Sequence, residues 1–417
     1  MKLCIVSSGD FFSDYGGGQV YVRNIVDELC HRQEITTIVV SFSKGHALDN
    51  RKYNGIDVFS VNDEQTFRAV LLKTKPDVVH SNGEKLLCAK LCKELEIPCI
   101  VTAHHGGLIC PAGALLNTDD EICNIPADYS HCLKCYLRNT PTGLFWYPLL
   151  RKYSQKRYVR IGERLKRLPF IPFLSPIGET GMIVSQKIID WQELCDNVTC
   201  FISPSYAMTE ALRRNGCPAS KITVIPHGIP TISEVNIKVN VNVDKIKFYY
   251  AGRINHVKGI HILLKAFSSI ENPNIELHLI GGAGNKNEQR YMKRLQRQYR
   301  KEKRIVWHGK MSIDEMYRVT KEYHCLVHPA INMEVFGLNI SEALAQHKYV
   351  IATRCGGPEM QIHSESAGLL IKPNSVIELK DAICHYINNP IESDSSIVSI
   401  QQHVTDLIDT YHRFIAS

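Results

Sequence analysis

The fold is decided by residues 247–268, KFYYAGRINHVKGIHILLKAFS. Residues 247–252 are apolar and aromatic, as in a buried strand, and the residues from about 259 to 268 place apolar side chains at helical spacing. Two cations, Arg253 and Lys258, lie in the glycine-bounded turn between the two. Open α/β sheets bind ligands at the carboxyl ends of their strands, so this turn is predicted to contribute to a binding site.

The same alternation of strands and helices is predicted along the whole chain, on both sides of a polar stretch at 230–245. The predicted strands are Lys2–Ser7, Ile35–Ser41, Ile56–Val61, Asp77–Ser81, Cys99–Ala103, Val198–Ser203, Ile222–Pro226, 247–252, 275–280, 304–308, Cys325–Pro329 and Tyr349–Thr353. Helices are predicted after the first strand, near 259–268, at 288–302, at 339–346 and over a final region, 376–415. This order predicts an α/β protein with two doubly wound, Rossmann-like domains on either side of a cleft.

The polar stretch sets the predicted domain boundaries. The first domain covers residues 1–230 and includes a cysteine-rich insertion at about 105–145 and a basic and apolar segment at 146–180. A linker at 231–245 follows. The second domain covers residues 246–400, and a C-terminal helix covers residues 401–417. The C-terminal helix is expected to return to the first domain.

Composition narrows the class of protein. With 417 residues and 44% hydrophobic content, the chain can form full cores, which excludes a disordered or fibrous protein. The first residues lack the apolar length of a signal peptide, and the 15 cysteines therefore indicate reduced thiols in the cytoplasm. The charge of +7 is local, since residues 151–167 and 286–304 each carry +7. These runs either attract phosphates or are solvated helix faces.

Glycines follow several of the predicted strands. Gly17 and Gly18, preceded by another glycine, lie between the first strand and the first helix. Gly252 follows the strand at 247–252, and Gly282 lies in a glycine-rich turn after the strand at 275–280. Glycines at these places let the backbone approach a phosphate closely, although a flexible loop or an ordinary turn explains each of them equally well alone.

The most informative segment is residues 328–342, HPAINMEVFGLNISE. Glu334 is predicted to lie in a loop and Glu342 about one turn into the next helix, so that the two carboxylates can bind hydroxyls at opposite ends of a long ligand. The amides of Gly337 and Leu338, at the predicted helix start, are placed to bind a phosphate between them.

Taken together, these motifs resemble glycosyltransferase family 4. The resemblance rests on Gly252-Arg253-x4-Lys258-Gly259, on Glu334-x7-Glu342 around Phe336-Gly337-Leu338, on Cys355-Gly356-Gly357-Pro358-Glu359 and on the N-terminal glycines. It covers about residues 1–390 and implies the GT-B fold and a retaining transfer of sugar, of the hexosyltransferase type, from a nucleotide donor, UDP- or GDP-linked.

The resemblance also implies roles for single residues. Arg253 and Lys258 would hold the donor diphosphate, and Glu334 would contact the sugar hydroxyls. Phe336, Gly337 and Leu338 would line the phosphate turn, Glu342 would bind the ribose, and His104 would lie beside the transferred sugar. The sequence contains no Asp-x-Asp triplet, a usual metal–diphosphate ligand, so transfer is expected to need no metal cofactor.

Four cysteines in the insertion are spaced like metal ligands: Cys110, Cys123, Cys132 and Cys135. They predict either a structural Zn²⁺ or iron–sulfur site, or simply the core of a cysteine-rich chain.

The segment 146–180 joins aromatic residues, the first basic run and an apolar stretch. It resembles an interfacial contact with an anionic membrane, which would place the protein on the cytoplasmic face; a lid over the acceptor is the alternative.

The resemblance to glycosyltransferase family 4 implies a glycan or lipid-linked saccharide acceptor, as in cell-surface polysaccharide biosynthesis. The alternatives are a synthase acting on a small soluble sugar, or a catalytically silent nucleotide-sugar-binding scaffold. No specific nucleic-acid partner is predicted.

Overall fold

A computed structural model describes residues 1–7, 9–12, 17–42, 49–138, 147–148, 175–230, 245–394 and 396–415. The chain divides into two compact units. The first unit contains Met1–Thr118, Asn124–Pro230 and Ser399–Ser417, and the second contains Asp119–Cys123 and Thr231–Val398. Most of the predicted linker and most of the segment 146–180 lie outside the described residues.

The first unit is built on one eight-stranded sheet. Its strands are β1 (Lys2–Ser7), β2 (Thr36–Phe42), β3 (Asp49–Tyr53), β4 (Ile56–Val61), β5 (Val78–Ser81), β6 (Cys99–Thr102), β7 (Cys200–Ser203) and β8 (Ile222–Val224). Their order is β3-β4-β2-β1-β5-β6-β7-β8, and only β3 is antiparallel to its neighbour. Its helices are α1 (Gly17–Leu29), α2 (Glu64–Thr74), α3 (Lys85–Glu94), α4 (Tyr129–Arg138), α5 (Ser175–Asn197), α6 (Tyr206–Arg214) and, from the end of the chain, α12 (Ile400–Ile415).

The second unit has a fully parallel sheet of six strands, in the order β11-β10-β9-β12-β13-β14. These strands are β9 (Ile246–Ala251), β10 (Ile275–Ile280), β11 (Ile305–Gly309), β12 (Cys325–His328), β13 (Tyr349–Thr353) and β14 (Gly368–Ile371). Its helices are α7 (Ile260–Ser268), α8 (Lys286–Gln298), α9 (Ile313–Thr320), α10 (Leu338–Leu344) and α11 (Val376–Asn388).

The central strands are buried on both faces because helices cover both sides of each sheet. In β1, Leu3 and Ile5 belong to a core with residues of α1 and α12. In β9, Tyr249 packs in a core with residues of α10, while the ring of Phe248 lies 6.4 Å from that of Phe267 in α7. The predicted fold class, two doubly wound parallel-sheet units, is thus confirmed in the described chain.

Two predicted elements differ from the structure. The final helical region is two helices, α11 and α12, because Pro390 follows Asn389 and disfavours a helical conformation there. The glycines at 17 and 18 lie in the first turn of α1 rather than in the loop before it. Across the described parts of the chain, none of the helices combines the length and the apolar character needed to cross a membrane.

Candidate active site

The turn after β9 is held in place by hydrogen bonds on both sides. The Tyr250 hydroxyl donates to the carbonyl oxygen of Arg253 (2.7 Å), and the Asn255 side chain accepts from the backbone N–H of Lys258 (3.1 Å). Gly259 then adopts φ +69°, and a Cβ atom there would lie 1.9 Å from the carbonyl oxygen of Pro329. Only glycine allows the turn to approach the end of β12 so closely.

This close approach brings Lys258 to Glu334. The Lys258 ammonium contacts the Glu334 carboxylate directly, and both side chains are mostly buried, with 24% and 17% exposed. The backbone of Glu334 is fixed as well, since its N–H donates to the carbonyl oxygen of Cys355 (2.8 Å) and its own carbonyl oxygen accepts from Gly357 (2.7 Å). The two oppositely charged groups therefore meet on rigid supports at the carboxyl edge of the sheet.

His328, the last residue of β12, completes this group. Its Nε2 lies 3.3 Å from Oε2 of Glu334, and its Nδ1 lies 3.1 Å from Nδ2 of Asn339. The same Nδ2 is 2.9 Å from the carbonyl oxygen of Ala251, which identifies it as a donor. In the neutral ring Nδ1 therefore accepts, and Nε2 carries the proton that faces Glu334.

The charge of Glu334 follows from these neighbours. Burial favours the neutral acid, but the Lys258 ammonium and the His328 imidazole outweigh it and hold the pKa of Glu334 well below its usual range. Glu334 is consequently an anion at neutral pH, paired with Lys258.

Arg253 is placed differently from Lys258. Its side chain is 61% exposed, and its guanidinium lies 3.9 Å from the Glu288 carboxylate, too far for a hydrogen bond. Glu288 is itself held by Asn255 (3.2 Å) and by the N–H of Gly284 (2.6 Å). Arg253 is thus an exposed cation, whereas Lys258 is mostly buried and paired with Glu334.

The turn before α10 holds the other predicted donor-binding residues. Gly337 adopts φ +88° immediately before Leu338, and the carbonyl oxygen of the buried Phe336 accepts from the Gln361 side chain (2.5 Å). Gln361 in turn accepts from the hydroxyl of Ser341 (2.6 Å). Gln361 therefore fastens the turn to the helix that it precedes.

Glu342, in α10, has a different environment from Glu334. No described side chain forms a hydrogen bond or an ion pair with its carboxylate, and burial raises its pKa to about 7. Such a carboxyl group gains hydrogen bonds when hydroxyl groups of a ligand reach it.

The remaining predicted glycines of the second unit support the backbone at the same edge. Gly252 and Gly281 have φ values of +151° and +131°, and a Cβ atom on Gly281 would lie 1.8 Å from the carbonyl oxygen of Gly252. The Gly282 carbonyl oxygen accepts from the N–H of Ile254 (3.0 Å). These contacts join the ends of β9 and β10.

His104 belongs to the first unit and follows the end of β6. Its Nε2 lies 2.7 Å from the amide oxygen of Asn82, which follows the end of the adjacent strand β5. The ring of Tyr21 lies edge-on at 4.8 Å from that of His104. Burial, with further contributions from Lys85 and other histidines, lowers the pKa of His104 well below its usual value, so the ring is neutral.

The predicted Gly17 and Gly18 lie at the start of α1, where a Cβ atom on Gly18 would meet no described atom within 4 Å.

The four cysteines of the insertion all lie in described parts of the chain. Cys110, Cys132 and Cys135 are buried, and Cys123 is half-buried. Burial raises the pKa of Cys132 to about 12. Within the residues that the structure describes, no three His, Cys, Asp or Glu side chains are grouped so that they could hold a metal ion. The zinc or iron–sulfur site thus stays a prediction.

Sequence reasoning singled out Lys258 and Glu334 but not the residues that hold the turns and side chains around them. The residues that it did not single out are Asn255, Glu288, His328, Asn339 and Gln361. His328 offered a usable signal, since it ends an apolar strand at the ligand-binding edge.

Comparisons with known proteins identify what the chain is similar to. Residues 232–402 match the family model described as glycosyl transferases group 1, and almost all of this range lies in the second unit. A lipopolysaccharide 1,2-N-acetylglucosaminetransferase of Salmonella typhimurium is 26% identical over 227 residues, which are 51% of this chain and 55% of that protein. A sucrose synthase of Melioribacter roseus is 28% identical over 172 residues, 37% of this chain and 21% of that protein. This chain therefore spans about half the length of the first of these curated relatives and about a fifth of the length of the second.

Solved structures resemble the chain over its full length. A sucrose-phosphate synthase from Thermosynechococcus elongatus has a TM-score of 0.68 at 17% identity, covering 100% of this chain and 99% of its own. Anabaena Alr3699/HepE in complex with UDP and glucose has a TM-score of 0.60 at 17% identity, covering 100% and 98%. At these identities the likeness concerns the fold, and the structural neighbours are GT-B glycosyltransferases.

Proposed function

We propose that this protein is a retaining glycosyltransferase that moves a sugar from a nucleotide-sugar donor, UDP- or GDP-linked, to a saccharide or lipid-linked acceptor. The observation that carries the proposal is the contact between Lys258 and Glu334, held against His328 at the carboxyl edge of the second sheet. An ammonium group fixed at this edge suits the phosphates of a nucleotide, and the carboxylate beside it suits the hydroxyl groups of the attached sugar.

The leaving group of such a donor is a nucleoside diphosphate, on which negative charge grows as the glycosidic bond breaks. Lys258 is held before the ligand arrives, so its charge needs little reorganisation. Arg253, with its exposed side chain, is free to follow the diphosphate. We assign both cations to the stabilisation of this charge, and their presence leads us to propose a transfer that needs no metal ion.

Three further roles follow on the donor side. Glu334 accepts hydrogen bonds from the sugar hydroxyls, and Glu342 accepts them from the ribose. The backbone at Phe336, Gly337 and Leu338 borders the phosphates. On the acceptor side, we propose that His104 lies beside the transferred sugar. Its Nε2 is hydrogen-bonded to the amide oxygen of Asn82. We propose that the anomeric configuration is retained because the acceptor hydroxyl attacks from the same face that the diphosphate leaves. The leaving phosphate takes the proton of the acceptor hydroxyl.

The acceptor is proposed from the relatives. The curated relative from Salmonella typhimurium is named as acting on lipopolysaccharide, which supports a glycan or lipid-linked acceptor in cell-surface polysaccharide biosynthesis. The second candidate is a synthase acting on a small soluble sugar, because a sucrose synthase and a sucrose-phosphate synthase are among the similar proteins.

The donor is tested by a thermal-shift screen of the full chain with UDP, GDP, ADP, CMP and their sugar conjugates, each with and without Mg²⁺. A ligand that binds only the folded protein raises the melting temperature by mass action. We expect stabilisation by one nucleoside diphosphate and its conjugates, unchanged by Mg²⁺, and loss of that stabilisation in Lys258→Ala.

Transfer itself is then measured with the selected donor, offered a lipid-linked saccharide and, separately, fructose or glucose 6-phosphate. Stabilisation by the donor without turnover on any acceptor would favour a silent nucleotide-sugar-binding scaffold. No stabilisation by any nucleotide would contradict the proposal as a whole.

We also propose that the segment 146–180 docks the enzyme on the cytoplasmic face of an anionic membrane. Co-sedimentation with vesicles of phosphatidylserine and phosphatidylcholine, compared with pure phosphatidylcholine, tests this. Binding that requires the anionic lipid and weakens with salt is expected; equal or absent binding to both vesicles would contradict it.

A further inference from the structure

Two histidines and a tyrosine of the second unit direct three polar atoms at one point. Nδ1 of His278 lies 2.9 Å from Nε2 of His308, and the Tyr323 hydroxyl oxygen lies 2.9 Å from the former and 3.3 Å from the latter. His278 is in β10 and His308 in the adjacent edge strand β11, while Tyr323 precedes β12. The three donors therefore come from separate segments that the sheet holds together.

The hydrogen-bonding roles of these atoms follow from Glu276. Nε2 of His278 lies 3.3 Å from the Glu276 carboxylate, which can only accept, so in the neutral ring the proton is on Nε2 and Nδ1 is a lone pair. The Tyr323 hydroxyl can then donate to Nδ1 of His278, and its oxygen can accept from Nε2–H of a neutral His308. A single cation at the centre would replace these hydrogen bonds and be bound by all three atoms at once.

The separations also fit a metal ion. Ligand atoms about 2.0–2.1 Å from a tetrahedral Zn²⁺ are about 3.3 Å from one another. The observed separations of 2.9–3.3 Å are within a few tenths of an ångström of that value. The set differs from a group of three His, Cys, Asp or Glu ligands because its third donor is a phenol.

Glu276 supplies an independent second observation. Histidines that bind metals usually donate their other ring N–H to a carboxylate, which fixes the tautomer and makes the ligating nitrogen more basic. Glu276 stands in this relation to His278. Lys245 in turn donates a hydrogen bond to the Glu276 carboxylate (2.7 Å).

We propose that His278, His308 and Tyr323 form a binding site for Zn²⁺, with Glu276 as the carboxylate that orients His278. Two imidazole nitrogens select a late first-row divalent cation over Mg²⁺ or Ca²⁺. His278 and Tyr323 are buried, whereas His308 is half-buried on the edge strand. The bound ion would fasten β11 to β10 just before the glycine turn at 281–282. The site is separate from the proposed donor-binding residues and does not depend on their function.

The test is equilibrium dialysis of the purified full chain against Zn²⁺, after removal of bound metal, for the wild type and four variants. We expect His308→Gln to lose one zinc equivalent and Tyr323→Phe to bind that equivalent more weakly. Glu276→Gln should weaken it by at least about tenfold while keeping every ligand. His385→Gln, on the exposed face of α11, is the matched control and should bind as the wild type does.

A Co²⁺ titration identifies the ligands. Cobalt bound by nitrogen and oxygen gives visible bands without the strong near-ultraviolet absorption of thiolate ligands, so a site in the cysteine insertion is recognised separately. Equal zinc binding in the wild type, His308→Gln and Glu276→Gln would overturn the proposal, as would a wild type that binds no zinc. If His308→Gln fails to fold by circular dichroism, the affinity of Glu276→Gln decides.

Discussion

Buried imidazoles contact hydroxyl groups in the first unit, whereas one imidazole of the second unit, that of His328, faces a charged carboxylate. In the first unit, His80 donates to or accepts from the hydroxyls of Tyr411 (2.7 Å) and Thr102 (2.6 Å), and His403 lies 2.9 Å from the Tyr21 hydroxyl. In the second unit, His328 lies 3.3 Å from the Glu334 carboxylate, which also holds Lys258.

The consequence is a difference in charge. Burial lowers the pKa of His80 to about 3 and that of His403 to about 4, so both rings stay neutral at physiological pH. The second unit instead keeps an ammonium and a carboxylate charged. A neutral aromatic network can position groups and exchange hydrogen bonds, whereas a fixed ion pair can bind a charged ligand. The comparison therefore places the strong electrostatics of the proposed reaction in the second unit.

The largest expected effect is on turnover in Lys258→Ala. Loss of a positioned cation should lower the rate of transfer by about 100- to 1000-fold, because the growing charge on the diphosphate loses its fixed partner. Steady-state transfer with the donor found in the thermal-shift screen measures this.

Lys265→Ala, an exposed lysine on α7, is the matched control and should retain normal turnover. Circular dichroism distinguishes lost chemistry from lost folding, and Glu334→Gln should also lower the rate. Normal turnover in both Lys258→Ala and Glu334→Gln would remove the basis of the contrast between the units.

The second effect is on stability and compares a glycine in each unit. Gly259→Ala should lower the free energy of unfolding by about 3 kcal/mol or more, because the new Cβ would lie 1.9 Å from the Pro329 carbonyl oxygen at φ +69°. Gly55→Ala, at φ +85° with no atom within 4 Å, should cost only about 1 kcal/mol. Urea denaturation measures both, and equal costs would mean that the turn at Gly259 relaxes freely.

The fold was predictable because buried parallel strands are apolar along their whole length. In β1 the side chains of Leu3 and Cys4 are both fully buried, although they point to opposite faces. The edge strand β3, Asp49–Tyr53, could not be found in this way, since it is polar and exposed and is defined only by its antiparallel pairing with β4.

Residues of the candidate site could be predicted only where they belong to a recognisable sequence motif. Lys258 and Glu334 are 76 residues apart. Each was predicted as a donor-binding residue from its own motif, but their direct contact was not predicted. The contacts of His328 with Asn339 and Glu334 depend on how β12 and α10 lie against each other, which no local pattern records. The same holds for Gln361, which reaches back to Phe336 from a separate turn.

The third effect contrasts the pH dependence of the two units. The pKa of Glu342 is raised from 4.5 to about 7, so its contribution to stability is complete below about pH 4.5 and is lost as the pH rises to 7. His80 and His403 have lowered pKa values, so their contribution is present above about pH 6.5 and is lost as the pH falls. The two units should therefore lose stability in opposite directions of pH.

Glu342→Gln isolates the contribution of Glu342 to the pH dependence of stability. The free energy of unfolding of the variant, relative to the wild type, should rise between pH 5 and pH 8 by up to about 3 kcal/mol. Urea denaturation across this range measures the difference, in which the histidine contributions cancel. A difference that does not change with pH would mean that the Glu342 carboxyl group is well solvated.

The smallest effect concerns the cysteine insertion, in which Cys132 belongs to the first unit. Cys132→Ser should lower the free energy of unfolding by about 1 kcal/mol, since a buried thiol is replaced by a hydroxyl group that must be desolvated. A zinc or iron–sulfur site formed by Cys110, Cys123, Cys132 and Cys135 would add the loss of its metal to this cost. Elemental analysis of the wild type, of Cys132→Ser with Cys135→Ser, and of His308→Gln then assigns any metal to the cysteines or to the second sheet. Metal lost only with the cysteines would place it in the insertion, metal lost only with His308 would place it on the second sheet, and losses in both would show two separate metal sites.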